Sequence, residues 1–383
     1  MTQDIRDFLP VSCELLAFGE PTHLEPAFGL VRNELFTQLI ELGFRSIALE
    51  TDRVAALAVD DFVQWGTGAL DTAMREGFSH GFGNLDANRR LVAWMREHND
   101  NRPAEDRLAF HGFDAPTETM SAPSPRRYLE HARDYLELDL DLAGRTGDDE
   151  RWSRPEAVMD PAMSPGDTAE ADTLRSIADD LLTTLYARAP ELIAKTSRAE
   201  WFRAHAHLTA GLGLLRYHKV SAQRLDENTR WTRMCAVRDA LMAQNLLDIR
   251  RVEARRGATL VFANNVHLQR NRSHMRMGPM KLDWFGAGAI VGSLLGDRYA
   301  FVAGSLGRSA AVGLEQPPPD TYEDVLQRRI TTWGLTATSA VKPAHTRTDT
   351  NPTHGYFPLD QETLDGADAV LHINAGAGTP APG

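Results

Sequence analysis

The sequence is short of the features that would place it at a glance. Among 383 residues there are two cysteines, Cys13 and Cys235, too few and too far apart for a disulfide framework or a zinc-finger spacing. Basic residues are outnumbered 41 to 53, a formal net charge of −12. A general nucleic-acid binder needs a basic footprint, and an anionic membrane surface would repel such a chain. No apolar run approaches the ~20 residues of a bilayer-spanning helix. The opening Met1-Thr2-Gln3-Asp4 has neither a basic nor an apolar leader segment, so no secretory signal is expected. No Gly-x-Ser-x-Gly elbow is present, which speaks against a serine-nucleophile α/β-hydrolase. A phosphate-binding loop and a dinucleotide glycine fingerprint are missing too. These absences leave a soluble, reduced, cytoplasmic protein as the default expectation, with no nucleic-acid or membrane partner. Its 42% hydrophobic and 25% charged content is ordinary for a globular chain.

What the chain does have is a strand, a polar turn, a helix and a second strand in close succession. A first strand at about 14–18 ends in Phe18 and runs into Gly19-Glu20-Pro21-Thr22-His23. A helix over 29–42 follows, with Val31, Leu35 and Leu39 on one row and Phe36 and Ile40 beside it. Gly43 suits its stop. Residues 46–50 read as a short buried strand ending in Glu50. This is the start of a βαβ unit. In an open parallel sheet, ligands sit beyond the carboxyl ends of the strands. Glu20, His23 and Glu50 therefore fall on one edge, with Arg32 in the first helical turn above it.

Further helices are predicted over 53–65 and 85–99, separated by a glycine-rich loop containing His80. A third strand over 107–114 ends in Asp114. The composition changes near residue 121: a Pro-Ser linker, an acidic helical stretch, a Pro-rich surface loop over 148–167, then leucines at helical spacing over 172–188 and 191–217. In a long helix over 226–256, Trp231, Cys235, Met242 and Ile249 share one face. Arg238 and Asn245 interrupt it, and a buried arginine needs a partner or a ligand anion. A fourth strand over 258–263 runs into Asn264-Asn265-Val266-His267, on the same edge. Strands at 299–303 and 367–374 complete the pattern, with a hairpin expected within 305–345. The fold class expected is α/β: an open, mostly parallel sheet flanked by helices. Residues 1–120 and 226–376 form it, 121–225 are a helical insertion forming a lid or subdomain, and 377–383 are a flexible tail.

Two histidines and two carboxylates on one edge suit a base held in place by a carboxylate. They also suit zinc, although Glu20-x-x-His23 has no second ligand at helical period. The metal set is therefore left empty and no cofactor is required, a divalent metal being the alternative. A glutamate–histidine pair at a strand end is also an ordinary polar cluster. Arg32 suits a substrate clamp or an oxyanion stabiliser, since cations are disfavoured at helix N-termini. Arg238 suits a substrate oxygen or a salt bridge to Glu20 or Glu50. Asp114 lines the pocket or caps a turn.

Phe18-Gly19-Glu20-Pro21-Thr22-His23 resembles the Gly-Glu-x-Thr-His opening of the erythromycin esterase family, and Arg32 matches that family's arginine. Leu42 to Glu50, Gly112-Phe113-Asp114, Arg238 to Asn245 and Asn264-Asn265-Val266-His267 are similar to further segments of it. The resemblance implies an α/β fold with a helical part and hydrolysis of a macrolide lactone by an activated water. By position, His23 and Glu20 would orient or activate the water with Glu50 and His267 beside them. Arg32 and Arg238 would bind or polarise the ester, with Asn264 and Asp114 at the substrate. Leu24 stands where the family usually has glycine, and Asn264 where it usually has histidine. Asparagine cannot take a proton at neutral pH, so the base falls to His23 or His267 or the reaction has changed. The readings carried forward are a hydrolase of an ester or lactone of a bulky, macrolide-like natural product, a tailoring lyase or cyclase using the same residues, and a non-catalytic ligand- or metal-binding pocket.

Overall fold

The computed structural model describes residues 4–350 and 355–376; the expected tail, 377–383, lies outside them. Nine strands are formed among the described residues: β1 Leu15–Glu20, β2 Phe44–Asp52, β3 Ala109–Asp114, β4 Ala258–Asn264, β5 Arg272–Met277, β6 Met280–Phe285, β7 Tyr299–Arg308, β8 Trp333–Ala337 and β9 Ala369–Ala375. Seven make one sheet in the order β3-β2-β4-β1-β7-β9-β8. Every pairing in it is parallel except β8 with β9. The fold class is thus the α/β, mostly parallel sheet that the hydropathy pattern implies.

Alternation along the strands explains the layers. Leu16 and Phe18 of β1 join the core under helices Pro26–Ile40, Ala56–Trp65 and Asp86–Asn99. Leu15 and Ala17 join the core on the opposite face, under helices Glu227–Glu253 and Ala287–Leu295. Successive strand residues point to opposite faces, so a sheet covered on both sides needs apolar residues at nearly every position. β1 is buried throughout.

From β1 the chain passes over one neighbour to β2 and outward to β3. It then returns to insert β4 between β2 and β1, and β7 and β9 extend the sheet beyond β1. The strand order turns back around β1 and β4, and such a switch point opens a crevice at the carboxyl edge.

Several boundaries differ from the sequence pattern. The first helix begins at Pro26, with Glu25 capping it through the Ala27 N–H and proline in the first turn, where its missing N–H costs nothing. Arg32 accordingly sits in the second turn, and the argument from the helix dipole falls away. The 148–167 stretch is not a surface loop. Trp152 is 1% exposed within the core of the helical insertion, its indole donating to the Thr146 carbonyl at 3.0 Å. Residues 191–217 do not form one helix: Ala189–Lys195 ends, and Arg198–Ser221 restarts behind the Ser197 cap. The strand within 305–345 finds no hairpin partner there, because β8 pairs with the later β9; the stretch's one antiparallel pairing among the described residues is an isolated bridge between Ser309 and Leu314. The hairpin is β5–β6 instead, turned at Gly278 with φ 57°. Its strands mix Arg, His, Lys and Met rather than β-branched residues, so their sequence gives little strand signal.

Candidate active site

Each parallel strand from β3 to β1 carries a polar residue of the site at or near its carboxyl end. Glu20 closes β1 and His23 follows on the turn; Glu50 lies late in β2; Asp114 closes β3; Asn264 closes β4. His267 is carried by the single helical turn Asn265–Leu268 that follows β4. Arg238 reaches the same edge from the long helix Glu227–Glu253.

These groups gather around one carboxylate. Glu50 Oε1 is 3.4 Å from His267 Nε2, 3.7 Å from His23 Nε2 and 3.2 Å from an Arg238 nitrogen. Its other oxygen accepts the Asn264 backbone N–H at 2.9 Å. Burial alone would raise the Glu50 carboxyl, but His267, His23 and Arg238 outweigh it and bring it down to about 2. Glu50 is therefore an anion between two imidazoles. Asp114 grips Arg238 through two bonds, from Nε at 3.0 Å and a terminal nitrogen at 2.6 Å. A two-point grip fixes the plane of the guanidinium.

Each imidazole has a carboxylate behind it. His23 Nδ1 is 2.7 Å from Glu20 Oε1. His267 Nδ1 is 2.9 and 3.1 Å from the two oxygens of Asp239. Assigning the proton to Nδ1 in both leaves both Nε2 atoms facing Glu50, the pattern by which a carboxylate fixes tautomer and ring orientation. Burial opposes charge on either ring, yet Glu50 with Glu20 raises His23, and Asp239 with Glu50 raises His267. Asp239 is fully buried and is itself held by Trp284 Nε1 and the Ala287 N–H, each at 2.8 Å.

The residues expected from sequence do not all act as one group. Arg32 stands apart on the far side of His23, bonded to Asn33 and Asn88. The Asn264 side chain accepts from the Val266 N–H at 3.1 Å, so it caps the turn that presents His267 while its backbone meets Glu50. Asp114 both pairs with Arg238 and caps Ala115 at 2.7 Å. Three contributors escaped the sequence reading. Asp239 lies beside Arg238, off the apolar stripe, and only its place in the family-like segment from Arg238 to Asn245 marked it. Trp284 comes from the unforeseen hairpin. His80, held at φ 56°, lies 2.9 Å from both Asp114 and Glu118; only its place in a glycine-rich loop marked it. Among the described residues, no cluster of three or more His, Cys, Asp and Glu side chains has metal-holding geometry.

A cavity of about 490 Å³ opens beside His23, Glu50 and His267, walled by Tyr217, Trp231, Met275 and Phe357. Tyr217 belongs to the helical insertion and Met275 to the β5–β6 hairpin. A second cavity of about 280 Å³ meets the other side of His23 and Glu50 and contains Arg32.

An acid–base centre built from strand-end carboxylates and histidines, at the switch point of a parallel sheet, defines a class of pocketed α/β proteins. A family match narrows it: residues 40–377 match the erythromycin esterase family, and the chain belongs to that family. It is, at that level, an esterase-type hydrolase. The match begins after the Glu20–His23 turn, which the geometry joins to the rest. Three solved structures share the fold. One is a Bacillus cereus protein at 16% identity and TM-score 0.68, over 97% of this chain and 90% of that one. Another is a succinoglycan biosynthesis protein at 14% and 0.67, with the same coverage. The third is a histidine-to-asparagine mutant of erythromycin esterase EreC in its open conformation, at 19% and 0.67, over 98% and 95%. No curated protein matches.

Proposed function

We propose that this protein hydrolyses an ester or lactone of a bulky, macrolide-like natural product with a water activated between His23 and Glu50. The observation that carries the reading is the pair of imidazoles on either side of Glu50, each with its own carboxylate behind it. A water about 2.8 Å from both His23 Nε2 and Glu50 Oε1 spans their 3.7 Å separation. His23, oriented by Glu20, takes its proton as the oxygen adds to the carbonyl carbon. Arg238, fixed by Asp114, faces the developing oxyanion. His267, whose charged form Asp239 and Glu50 favour, gives its Nε2 proton to the departing alkoxide. The carbon–oxygen bond breaks, leaving a carboxylic acid and an alcohol. The larger cavity, with its aromatic and methionine walls, takes the apolar bulk of the substrate.

Mass spectrometry on a panel of macrolides and simple esters tests this. A product one water heavier than the lactone, absent with His23→Ala, supports it. Product formed without the gain of a water would favour the lyase or cyclase reading, and full turnover by His23→Ala would remove His23 from the chemistry.

A further inference from the structure

A water nucleophile needs little room. One water takes up ~30 Å³ of liquid volume, yet the cavity on the other side of His23 and Glu50 holds about 280 Å³. His23, Glu50 and Phe82 line both cavities, and the Phe82 ring packs 5.0 Å from that of His23. The nucleophile's place between His23 Nε2 and Glu50 Oε1 therefore borders both chambers. With the apolar bulk of the substrate in the larger one, the smaller is the side from which the nucleophile arrives.

Charge decides what else the smaller chamber admits. Glu20, Glu25, Glu50 and Asp86 line it, against Arg32 and His23. His23 is already bonded to Glu20, and Arg32 to Asn33 and Asn88. Four carboxylates facing two basic groups repel an anion. An aliphatic amine would arrive protonated at neutral pH, with no lone pair to attack a carbonyl. An alcohol is uncharged and can attack. The walls suit its carbon chain, because Leu30, Leu49, Leu85 and Phe262 are apolar. Polar groups stand at the outer end. Helix Asp86–Asn99 starts there behind Leu85, and no side chain caps it, so the N–H groups that open it remain as donors. Asn84 adds an amide that donates and accepts. A hydroxyl does both as well, so this rim matches a second hydroxyl at the far end of a short chain.

We propose that the smaller cavity is an acceptor site, through which the protein also transfers acyl groups to a short aliphatic diol. The inference rests on the hydrolase reading for its acyl donor and adds a second nucleophile to it. One diol oxygen takes the water's place between His23 and Glu50. His23 takes the hydroxyl proton as that oxygen adds to the carbonyl carbon, and Arg238 faces the oxyanion. The adduct collapses, the original C–O bond breaks, and His267 gives the departing alkoxide a proton. One ester and one alcohol are consumed, and one ester and one alcohol are formed.

The panel of macrolides and simple esters, run with rising butane-1,4-diol, tests this. Mass spectrometry should find opened lactones heavier by one diol, and diol esters from the simple substrates, beside the products of hydrolysis. Transfer should rise to a plateau while hydrolysis falls with the same midpoint, because diol and water compete for one place. Leu30→Trp fills the chamber and should cut the ratio of transfer to hydrolysis roughly ten-fold or more, the loss expected when an apolar pocket is closed. Asn84→Leu should reduce the preference for the diol over butan-1-ol about three-fold, as for one neutral hydrogen bond. Both positions are exposed, so neither variant threatens the fold. Met275→Trp, in the larger cavity, should leave the ratio unaltered. Hydrolysis with no diol product overturns the inference and leaves the hydrolase reading. So does transfer that grows in proportion to diol with hydrolysis undiminished, or a ratio indifferent to Leu30→Trp. Transfer without hydrolysis removes the hydrolase reading and keeps the acceptor site; no turnover of any member of the panel removes both.

Discussion

At the scale of single residues, the site depends on which oxygen holds which imidazole. Asp239 accepts from His267, Trp284 and Ala287 at once, so its charge is anchored before it orients the ring. Asp239→Asn places an amide where His267 needs an acceptor. We expect kcat to fall by roughly 10²-fold or more, with the far-UV circular dichroism retained; activity within a factor of about two, the size of effect expected away from the chemistry, would remove this pair from the mechanism. His23 must be neutral to take a proton, and Glu50 and Glu20 raise it above 6.5. Its base form therefore accumulates only above that pH, and kcat/KM should climb through an apparent pKa higher than 6.5. A rate already flat from below that value would contradict the assignment. Glu20, His23, Glu50, Asp114 and His267 were legible in the sequence because each lies at or just beyond the end of a strand whose hydrophobic run fixes where the edge must be. Asp239, His80 and Trp284 were not, because no local pattern says which side chains tertiary closure will bring to that edge.

At the scale of elements, short segments present the chemistry and longer ones hold them still. The turn Asn265–Leu268 has few helical bonds of its own, and Asn264 supplies its cap. Asn264→Ala should cost about 1 kcal/mol of stability, read from urea denaturation, and should lower kcat as His267 loses its fixed approach. A change in stability with unaltered kcat would show the cap to be independent of catalysis. In the helical insertion, Trp152→Ala should destabilise by about 3–5 kcal/mol, the usual cost of deleting a large aromatic from a packed core. A midpoint shift of only a few tenths of a kcal/mol, as for an exposed side chain, would restore the surface-loop reading of that stretch. The helices with leucine or valine at every third or fourth position were visible in the sequence to within a few residues. The β5–β6 hairpin was not: its strands hold no valine, isoleucine or threonine, and its partners are the Glu227–Glu253 helix and the large cavity rather than the sheet.

At the scale of the molecule, the outer segments are tied to the site by charge. His80 bridges Asp114 at the end of β3 and Glu118 beyond it. Burial alone would lower this imidazole, but the two carboxylates raise it to about 9. An unfolded chain gives it back its ordinary value, so the bridge stabilises fully below pH 6.5 and is lost as the pH rises through 9. Urea midpoints should fall across that interval in the wild type and fall less in His80→Gln; equal slopes would remove His80 as the source. The sheet order has a further consequence for biosynthesis. β1 and β2 are made well before β4, yet β4 is the strand that joins them edge to edge, and it emerges only after the helices that separate it from β3. A nascent chain therefore carries two finished strands with a missing rung between them, and must keep that gap from pairing wrongly until residue 264 has left the ribosome. Contacts so distant along the chain close slowly, so this protein should acquire its reactive centre late in synthesis and all at once.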